Sequence, residues 1–314
     1  MKKLAFIFGI SGQDGSYLSN LLIKKNFKVF GFTRQKNKKN LTNLTRLKIF
    51  NKIKFIEYNN FNDIKKIFLK NTPHHTYFLS GASNIGRSFL DPINTYKSNI
   101  LLYANILEYC REKNLKTNIY SSCSTDCYGN NSEKLCSEKT PFKPYSPYSR
   151  SKVFNFWLTK FYRENFNLNC SSGILSNHES PLRREGFVTK KIINFVNNFD
   201  KKKKLRLGNI NVFRDWGWAP DYVDAIYKIN SSKVREDFIV STGKKTSLSY
   251  IVKKIFLKKK ISKNFLKSNV KNLMRSKEVK FSNYSPKKIE KILGWKSTKN
   301  IDQIIDKLLK NEIF

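Results

Sequence analysis

Nowhere in its 314 residues does the chain approach the ~20 uncharged apolar residues of a membrane helix, so no membrane partner is expected. The opening MKKLAFIFGISGQDG turns at glycine where a signal peptide would continue its apolar core, and a cytoplasmic protein is expected. Cysteine is scarce, at Cys110, Cys123, Cys127, Cys136 and Cys170, and histidine scarcer, at His74, His75 and His178. No C-x-x-C pair occurs, so neither a zinc site nor a disulfide framework is supported; no metal is expected, and the thiols are expected to be free. Acid is short as well, with 23 acidic against 61 basic residues and a formal charge of +38. Such a charge suggests phosphate polymers, but the lysines are spread along the whole chain over solvated faces. No nucleic-acid partner is expected. Internal repeats and low-complexity linkers are also missing.

What is present begins with GISGQDGSYL, directly after the uncharged run LAFIF. An apolar run of that length reads as a strand buried on both faces, and SYLSNLLIKK carries apolar residues at helical spacing. Gly9, Gly12 and Gly15 therefore occupy a strand-to-helix turn. There Gly9 allows backbone angles closed to other residues, Gly12 lets the main chain approach a phosphate, and Gly15 lets helix and strand pack closely. A diphosphate at that helix N-terminus meets free N–H groups and the positive end of the dipole. A dinucleotide site is the reading.

Further strands are expected in FKVFGFTR, in IKFIEY from Ile53, in TYFLSG at Thr76 to Gly81, and in TNIYSSCS at Thr117 to Ser124. A long helix through NILLYANILEYCREK and another from about Ser149 fall between or after them. Strands alternating with helices imply an α/β, Rossmann-like, doubly wound parallel sheet. Residues 1–175 plus about 213–243 are expected to form the dinucleotide domain, and about 176–212 plus 244–314 a smaller, mixed substrate lobe. Ligands of such sheets bind beyond the carboxyl ends of the strands, which is where Ser83 and SSCSTDCYG fall. No acidic residue occurs between Asp14 and Glu57, and Arg34 stands where NAD enzymes commonly keep the carboxylate that reads the ribose, so NADP is the expected cofactor.

Tyr148 and Lys152 share a helical face at i, i+4, and a nearby ammonium favours phenolate, which would make the tyrosine an acid/base near neutrality. The spacing alone is uninformative, because Tyr-x-x-x-Lys also starts at Tyr109, Tyr250 and Tyr284. What distinguishes Tyr148 is the turn PYSP before it and the hydroxyl cluster ending the fifth strand, which allows Ser124 to share a substrate hydroxyl with it.

Together, the glycine turn, Ser124, Tyr148 and Lys152 resemble the extended short-chain dehydrogenase/reductases that act on nucleotide sugars. GISGQDGSYL, ILSNHESP followed by FVTKKI, LGN with RDWG, and RSKEVKF narrow the resemblance to the GDP-mannose 4,6-dehydratases, from the first strand to KILGWK. The resemblance implies GDP-mannose as substrate, C4 oxidation, loss of water across C5 and C6, and hydride return to C6 from a retained NADP. It makes Tyr148 the base for the C4 hydroxyl, Lys152 its tuner and a ribose contact, Ser124 the holder of the 4-oxygen and Asp126 the C5 base. Gln13, Asp14, Arg34 and Asn60 join the three glycines around the cofactor. Ser83, Asn177, His178, Glu179, Val188, Lys191, Arg214, Arg275 and Glu278 fall to the substrate, the cations on its diphosphate and Glu278 on its ribose. A homo-oligomer is also implied.

Three departures from the family stand out. Its threonine and glutamate appear as Ser124 and Asp126, its acidic residue after the third strand as Asn60, and the stretch between Ile255 and Leu273 is short. Asp126 pulls the carboxylate back by ~1.5 Å, one carbon–carbon bond. Ser124, Tyr148 and Lys152 would equally serve a 4-epimerase or 4-keto reductase; the carboxylate at 126 argues for elimination. A binding protein without turnover is the reading the intact triad argues against.

Overall fold

The computed structural model describes residues 2–37, 41–274 and 279–314. The first apolar run forms β1 (Leu4–Phe8), and α1 (Gln13–Lys24) follows the glycine turn. Next come β2 (Lys28–Thr33), α2 (Thr42–Arg46), β3 (Ile53–Glu57), α3 (Phe61–Lys70) and β4 (His75–Phe78). A helical rod then runs through α4 (Ile85–Leu90), α5 (Pro92–Tyr96), a wider π-helical segment at Lys97–Leu101, and α6 (Leu102–Glu112). After β5 (Asn118–Ser124) come α7 (Pro147–Phe166), β6 (Cys170–Leu175), β7 (Asn177–Glu179) and α8 (Val188–Asn197). The remainder comprises β8 (Leu205–Arg206), β9 (Phe213–Trp218), α9 (Ala219–Ser231), β10 (Phe238–Val240), β11 (Lys245–Ser247), α10 (Leu248–Lys258), β12 (Leu266–Lys267), α11 (Lys287–Leu293) and α12 (Ile301–Lys310).

Seven parallel strands form the central sheet in the order β3-β2-β1-β4-β5-β6-β10, the doubly wound arrangement expected from the alternation of strands and helices. Alternation along each strand splits the core in two. Phe6, Phe8, Phe30, Phe32 and Phe78 pack with Phe68 of α3 on one face, whereas Ala5, Ile7, Val29 and Tyr77 pack with α1 and α9 on the other. Strand order reverses beside β1, and a crevice opens there at the carboxyl ends of β1 and β4. β4 stops at Phe78, earlier than the sequence pattern suggests, and Leu79 to Gly81 form its outgoing loop. Gly81, at φ +133, ends that loop against the side chain of Asn99.

Beyond β6 the chain builds a second sheet, β11-β9-β7, and a small β12-β8 pair. Their apolar faces meet α8, α10 and α12 around Ile192, Trp216, Trp218, Ile251, Ile255 and Ile305. The return segment is divided between the two sheets: β10 closes the central sheet, while β9 pairs with β7 and β11. In the π-helical segment the Asn99 carbonyl accepts from Asn155 Nδ2 at 2.7 Å, and its side chain bridges the Ala82 backbone and Ser151. All five cysteines are free and buried, and among the described residues no helix is long and apolar enough to cross a membrane.

One core histidine makes stability depend on pH. His75 lies buried in β4 between Phe27 and Tyr77, and burial, then the charges of Lys3 and His74, bring its pKa down to about 4. Unfolded chain takes up that proton near pH 6.5, so His75 should cost stability as pH falls from about 6.5 towards 4, with no further cost below. Thermal melts across that range should show wild type losing several degrees more than His75→Gln.

Candidate active site

The glycine turn is built as its spacing predicts. Gly9 has φ +89, and a Cβ there would stand 2.7 Å from the Leu79 carbonyl carbon and Ser80 nitrogen. At Gly15 a Cβ would drive into the Gly9 carbonyl and the Ile10 Cα, so α1 can approach the turn only with glycine at that place. Gly12 is the N-cap of α1 and makes no side-chain cap bond, and a Cβ there would meet only the Gly9 oxygen, at 3.3 Å. A twelve-residue helix therefore presents uncapped N–H groups to open space. That space is a cleft of ≈ 1350 Å³ bounded by Gly9 to Gly15 (Ile10 excepted), Phe32 to Gln35, Asn59 to Phe61, Leu79 to Ser83, and Pro181 to Glu185 with Phe187 and Lys190. Ser80 Oγ is buried on this wall without a hydrogen-bond partner. An uncapped helix, a glycine cradle and an orphaned hydroxyl fit a dinucleotide.

Arg34 and Ser83 line the cleft. Asn60 lines it too, but its side-chain oxygen caps α3 through the N–H groups of Asn62 and Asp63, so the expected base contact competes with a capping box. Cations that sequence reading missed also line the cleft. Arg184 donates to Ser11 Oγ at 3.2 Å, while Arg46 and Lys190 both donate to the Pro181 carbonyl, at 2.9 and 3.2 Å. Burial, and then the Arg46 charge, lower the Lys190 pKa. In so basic a chain nothing marked these positions.

The residues expected to be catalytic gather at the end of β5, outside the cleft wall. β5 stops at Ser124 and a 3-10 turn begins at Thr125, so residues 124 and 126 are not on one extended strand. The turn itself brings the two groups together, since Ser124 Oγ accepts from the Asp126 N–H at 3.2 Å and donates to its carboxylate at 3.4 Å. Ser124 is the cap, a role that Asp126 does not take. Ser146 and Ser149 form the capping box of α7, which sets Tyr148 and Lys152 in its first turns. Of the four Tyr-x-x-x-Lys pairs, Tyr148 and Lys152 are the one in which both partners are buried. Lys152 donates to the Ser122 carbonyl at 2.9 Å, and its pKa is lowered by burial.

Tyr148 departs from expectation. Burial raises its pKa, the Asp126 charge raises it further, and the Ser124 hydroxyl offsets only part of this, so the phenol keeps its proton. The ammonium that was expected to lower it is directed at Ser122 instead. Tyr284, passed over in the sequence as one of the uninformative pairs, reaches this corner from the C-terminal part of the chain. Its hydroxyl donates to the Thr125 carbonyl at 3.4 Å, and burial raises its pKa, the Asp126 charge adding to the rise and the Arg214 charge opposing it.

The expected substrate residues are scattered. Asn177 opens β7, pairing with Trp216. His178 is buried and faces the glycine turn: its Nε2 lies 3.0 Å from Asp14 and its Nδ1 2.7 Å from the Ser176 carbonyl. Glu179 is also buried, accepting from Thr189 and pairing with Arg183 at 3.5 Å. Val188 starts α8 and packs on the second core, Lys191 donates to the Arg206 carbonyl, and Arg214 donates to the Phe213 carbonyl. Arg275 and Glu278 lie outside the described residues.

The two outer glycines and the middle one should fail differently. Gly15→Ala should cost roughly 1–3 kcal/mol of stability by overpacking, and dinucleotide binding with it. Gly12→Ala should melt near wild type yet bind NADPH at least tenfold more weakly. Thermal melts paired with NADPH fluorescence titrations separate the two.

Residues 6–308 match the family model for GDP-mannose 4,6 dehydratase. The chain is 30% identical to GDP-mannose 4,6 dehydratase 2 of Caenorhabditis elegans, over 99% of its own length and 89% of that protein's. It is 34% identical to GDP-mannose 4,6-dehydratase of Vibrio cholerae, over 77% and 68% of the two chains. Among solved structures, dTDP-glucose 4,6-dehydratase from Bacillus anthracis, in complex with NAD, superposes with a TM-score of 0.86 at 16% identity, covering 98% and 96% of the two chains. UDP-glucose 4-epimerase from Thermus thermophilus, also with NAD, gives 0.85 at 18% identity over 98% of each. The two structural likenesses establish the fold, the sequence matches go further, and the chain belongs to the GDP-mannose 4,6-dehydratase family.

Proposed function

We propose that the chain converts GDP-mannose to GDP-4-keto-6-deoxymannose and water. The observation that carries this is the carboxylate of Asp126 hydrogen-bonded to Ser124 beside the Tyr148 phenol. A 4-epimerase or 4-keto reductase needs the hydroxyl and the phenol but no second base. When bound, a nicotinamide cofactor supplies the hydride acceptor for C4 and the donor for C6. Tyr148 exchanges a proton with the 4-oxygen, which Ser124 holds, while the Lys152 ammonium, anchored on the Ser122 carbonyl, is the candidate contact for the nicotinamide ribose. Ketone formation at C4 acidifies the C5 proton, so Asp126 can remove it as an ordinary carboxylate base. Asn177, Lys191 and Arg214 are the described candidates for the GDP moiety.

The relatives of known structure contain NAD, which supports a nicotinamide cofactor here. NADP is our choice: Arg34, Arg46, Arg184 and Lys190 converge on the cleft, and the strand-end acid that reads an NAD ribose is missing. Free thiols fit a cytoplasmic setting. A homo-oligomer also fits, since α7 leaves Phe154, Trp157 and Phe161 exposed along one face, a stripe a second copy would cover.

NADPH should bind more tightly than NADH in fluorescence titrations, and Arg34→Ala should shrink that preference by roughly tenfold. Equal affinities unaffected by the substitution would point to NAD. Purified protein given GDP-mannose should accumulate a 4-keto product. Asp126→Asn should retain sugar-nucleotide binding and C4 hydride removal while losing C5 proton exchange with deuterated water, with turnover down about 10²–10⁴-fold. Asp126→Glu should preserve or raise turnover. Near-wild-type exchange in Asp126→Asn would make the carboxylate structural.

A further inference from the structure

The peptide joining Thr125 to Asp126 is held at both ends. Its N–H donates to Ser124 Oγ at 3.2 Å, and its carbonyl, which a trans peptide points the opposite way, accepts from the Tyr284 hydroxyl at 3.4 Å. Tyr284 is itself firmly placed. Its ring is buried among Cys123, Cys127, Tyr128 and Cys136, with the Tyr128 ring centroid 5.9 Å away. Its backbone is strapped to Cys136 by two hydrogen bonds of 2.9 Å, from the Cys136 N–H to the Asn283 carbonyl and from the Ser285 N–H to the Cys136 carbonyl. Burial raises the Tyr284 pKa, so the phenol keeps the hydrogen it donates. Ser124 and Asp126 differ in what else fixes them. Ser124 ends β5 and pairs with Leu175 of β6, so the ladder holds it whatever the turn does. Asp126 has left the sheet, and only χ1 stands between its backbone and its carboxyl carbon. Any tilt of the 125–126 peptide therefore reaches the carboxylate almost undiminished.

We propose that Tyr284 is a positioning residue for the elimination step: by holding the Thr125 carbonyl it fixes the tilt of the 125–126 peptide and so aims the Asp126 carboxylate at the C5 proton. It acts through Asp126 and takes no proton itself. The inference rests on the reading of Asp126 as the C5 base. Its signature is a split between two steps of one reaction. Oxidation at C4 uses Ser124 and Tyr148, which the β5-β6 ladder and α7 hold; loss of the C5 proton uses a carboxylate that the turn alone holds. A tyrosine that only filled the core would, when altered, degrade both steps together.

The test follows both steps in one sample, with enzyme, NADP and GDP-mannose in deuterated water. C4 hydride removal is read as reduced-nicotinamide absorbance in the first turnover, and C5 exchange as deuterium entry by mass spectrometry. Unfolded protein contributes to neither, so their ratio does not depend on how much of a variant folds. Tyr284→Phe removes only the hydroxyl, and it should slow C5 exchange about three- to tenfold, the range of a single hydrogen bond, while C4 hydride removal and GDP-mannose affinity stay within about twofold. On an Asp126→Asn background the same substitution should slow the residual exchange less than about twofold, because its effect runs through the carboxylate. An unchanged ratio in Tyr284→Phe overturns the proposal, whether both steps stay fast or both slow together. So does an equal loss of exchange on the Asp126→Asn background. Near-wild-type exchange in Asp126→Asn overturns the reading of Asp126 as the base and the role of Tyr284 with it, a result distinct from lost exchange in Asp126→Asn beside an unaffected Tyr284→Phe.

Discussion

The molecule turns on a short seam between two tripeptides far apart in the chain. Gly12-Gln13-Asp14 starts the first helix, His178-Glu179-Ser180 lies in and after β7, and three hydrogen bonds join them: Asp14 to His178, Gln13 to the His178 carbonyl, and Ser180 to Gln13. The seam fixes how far the central sheet stands from the segment Pro181 to Lys190, and those are the opposing walls of the cleft. Glycine spacing supplies the floor and strand reversal beside β1 supplies the opening. The distance between walls comes from polar pairs whose desolvation is repaid only by one another.

The corner at the end of β5 depends on a different use of space. Ser124 and Asp126 are each one carbon shorter than the family pattern, yet the 3-10 turn places them in mutual hydrogen-bond contact. A turn brings closer what a strand alternation would have held two residues apart, so the shorter side chains are drawn inward together. Cys123 and Cys127 flank them with sulfurs 3.5 Å apart, both packed against the α7 backbone. Tyr284 closes the corner from the C-terminal part of the chain, which ties its geometry to the docking of a segment some 160 residues further along.

Local pattern in the sequence was enough for the central sheet, because buried parallel strands read as uncharged runs and the glycine turn has few alternatives. The turn PYSP and the hydroxyl cluster singled out Tyr148 and Lys152 among four like-spaced pairs, and theirs is the pair that is buried. Local pattern was not enough for the second sheet or the β12-β8 pair, where all strands but β9 have only two or three residues and carry no periodic signal. Nor could it place His178, since a histidine in a polar loop and one between two acceptors are written identically. Arg46, Arg184 and Lys190 were hidden for a statistical reason, among 61 basic residues. The tyrosine ionisation was misjudged because i, i+4 spacing puts Lys152 on the right face without saying which carbonyl will capture its ammonium.

The π-helical segment at Lys97–Leu101 constrains the chain through length more than identity. Its wider winding accommodates residues that an α-helix would have to distribute further along, and each residue of an α-helix advances the screw by about 100°. Deleting one residue there would regularise the winding and rotate everything downstream by that angle. Tyr103, Ile106, Leu107 and Cys110 would swing away from the sheet, and the Asn99 carbonyl would lose its claim on Asn155. Apart from the buried Asn99, it is the residue count of this stretch that is fixed, an insertion-and-deletion boundary set by backbone phase.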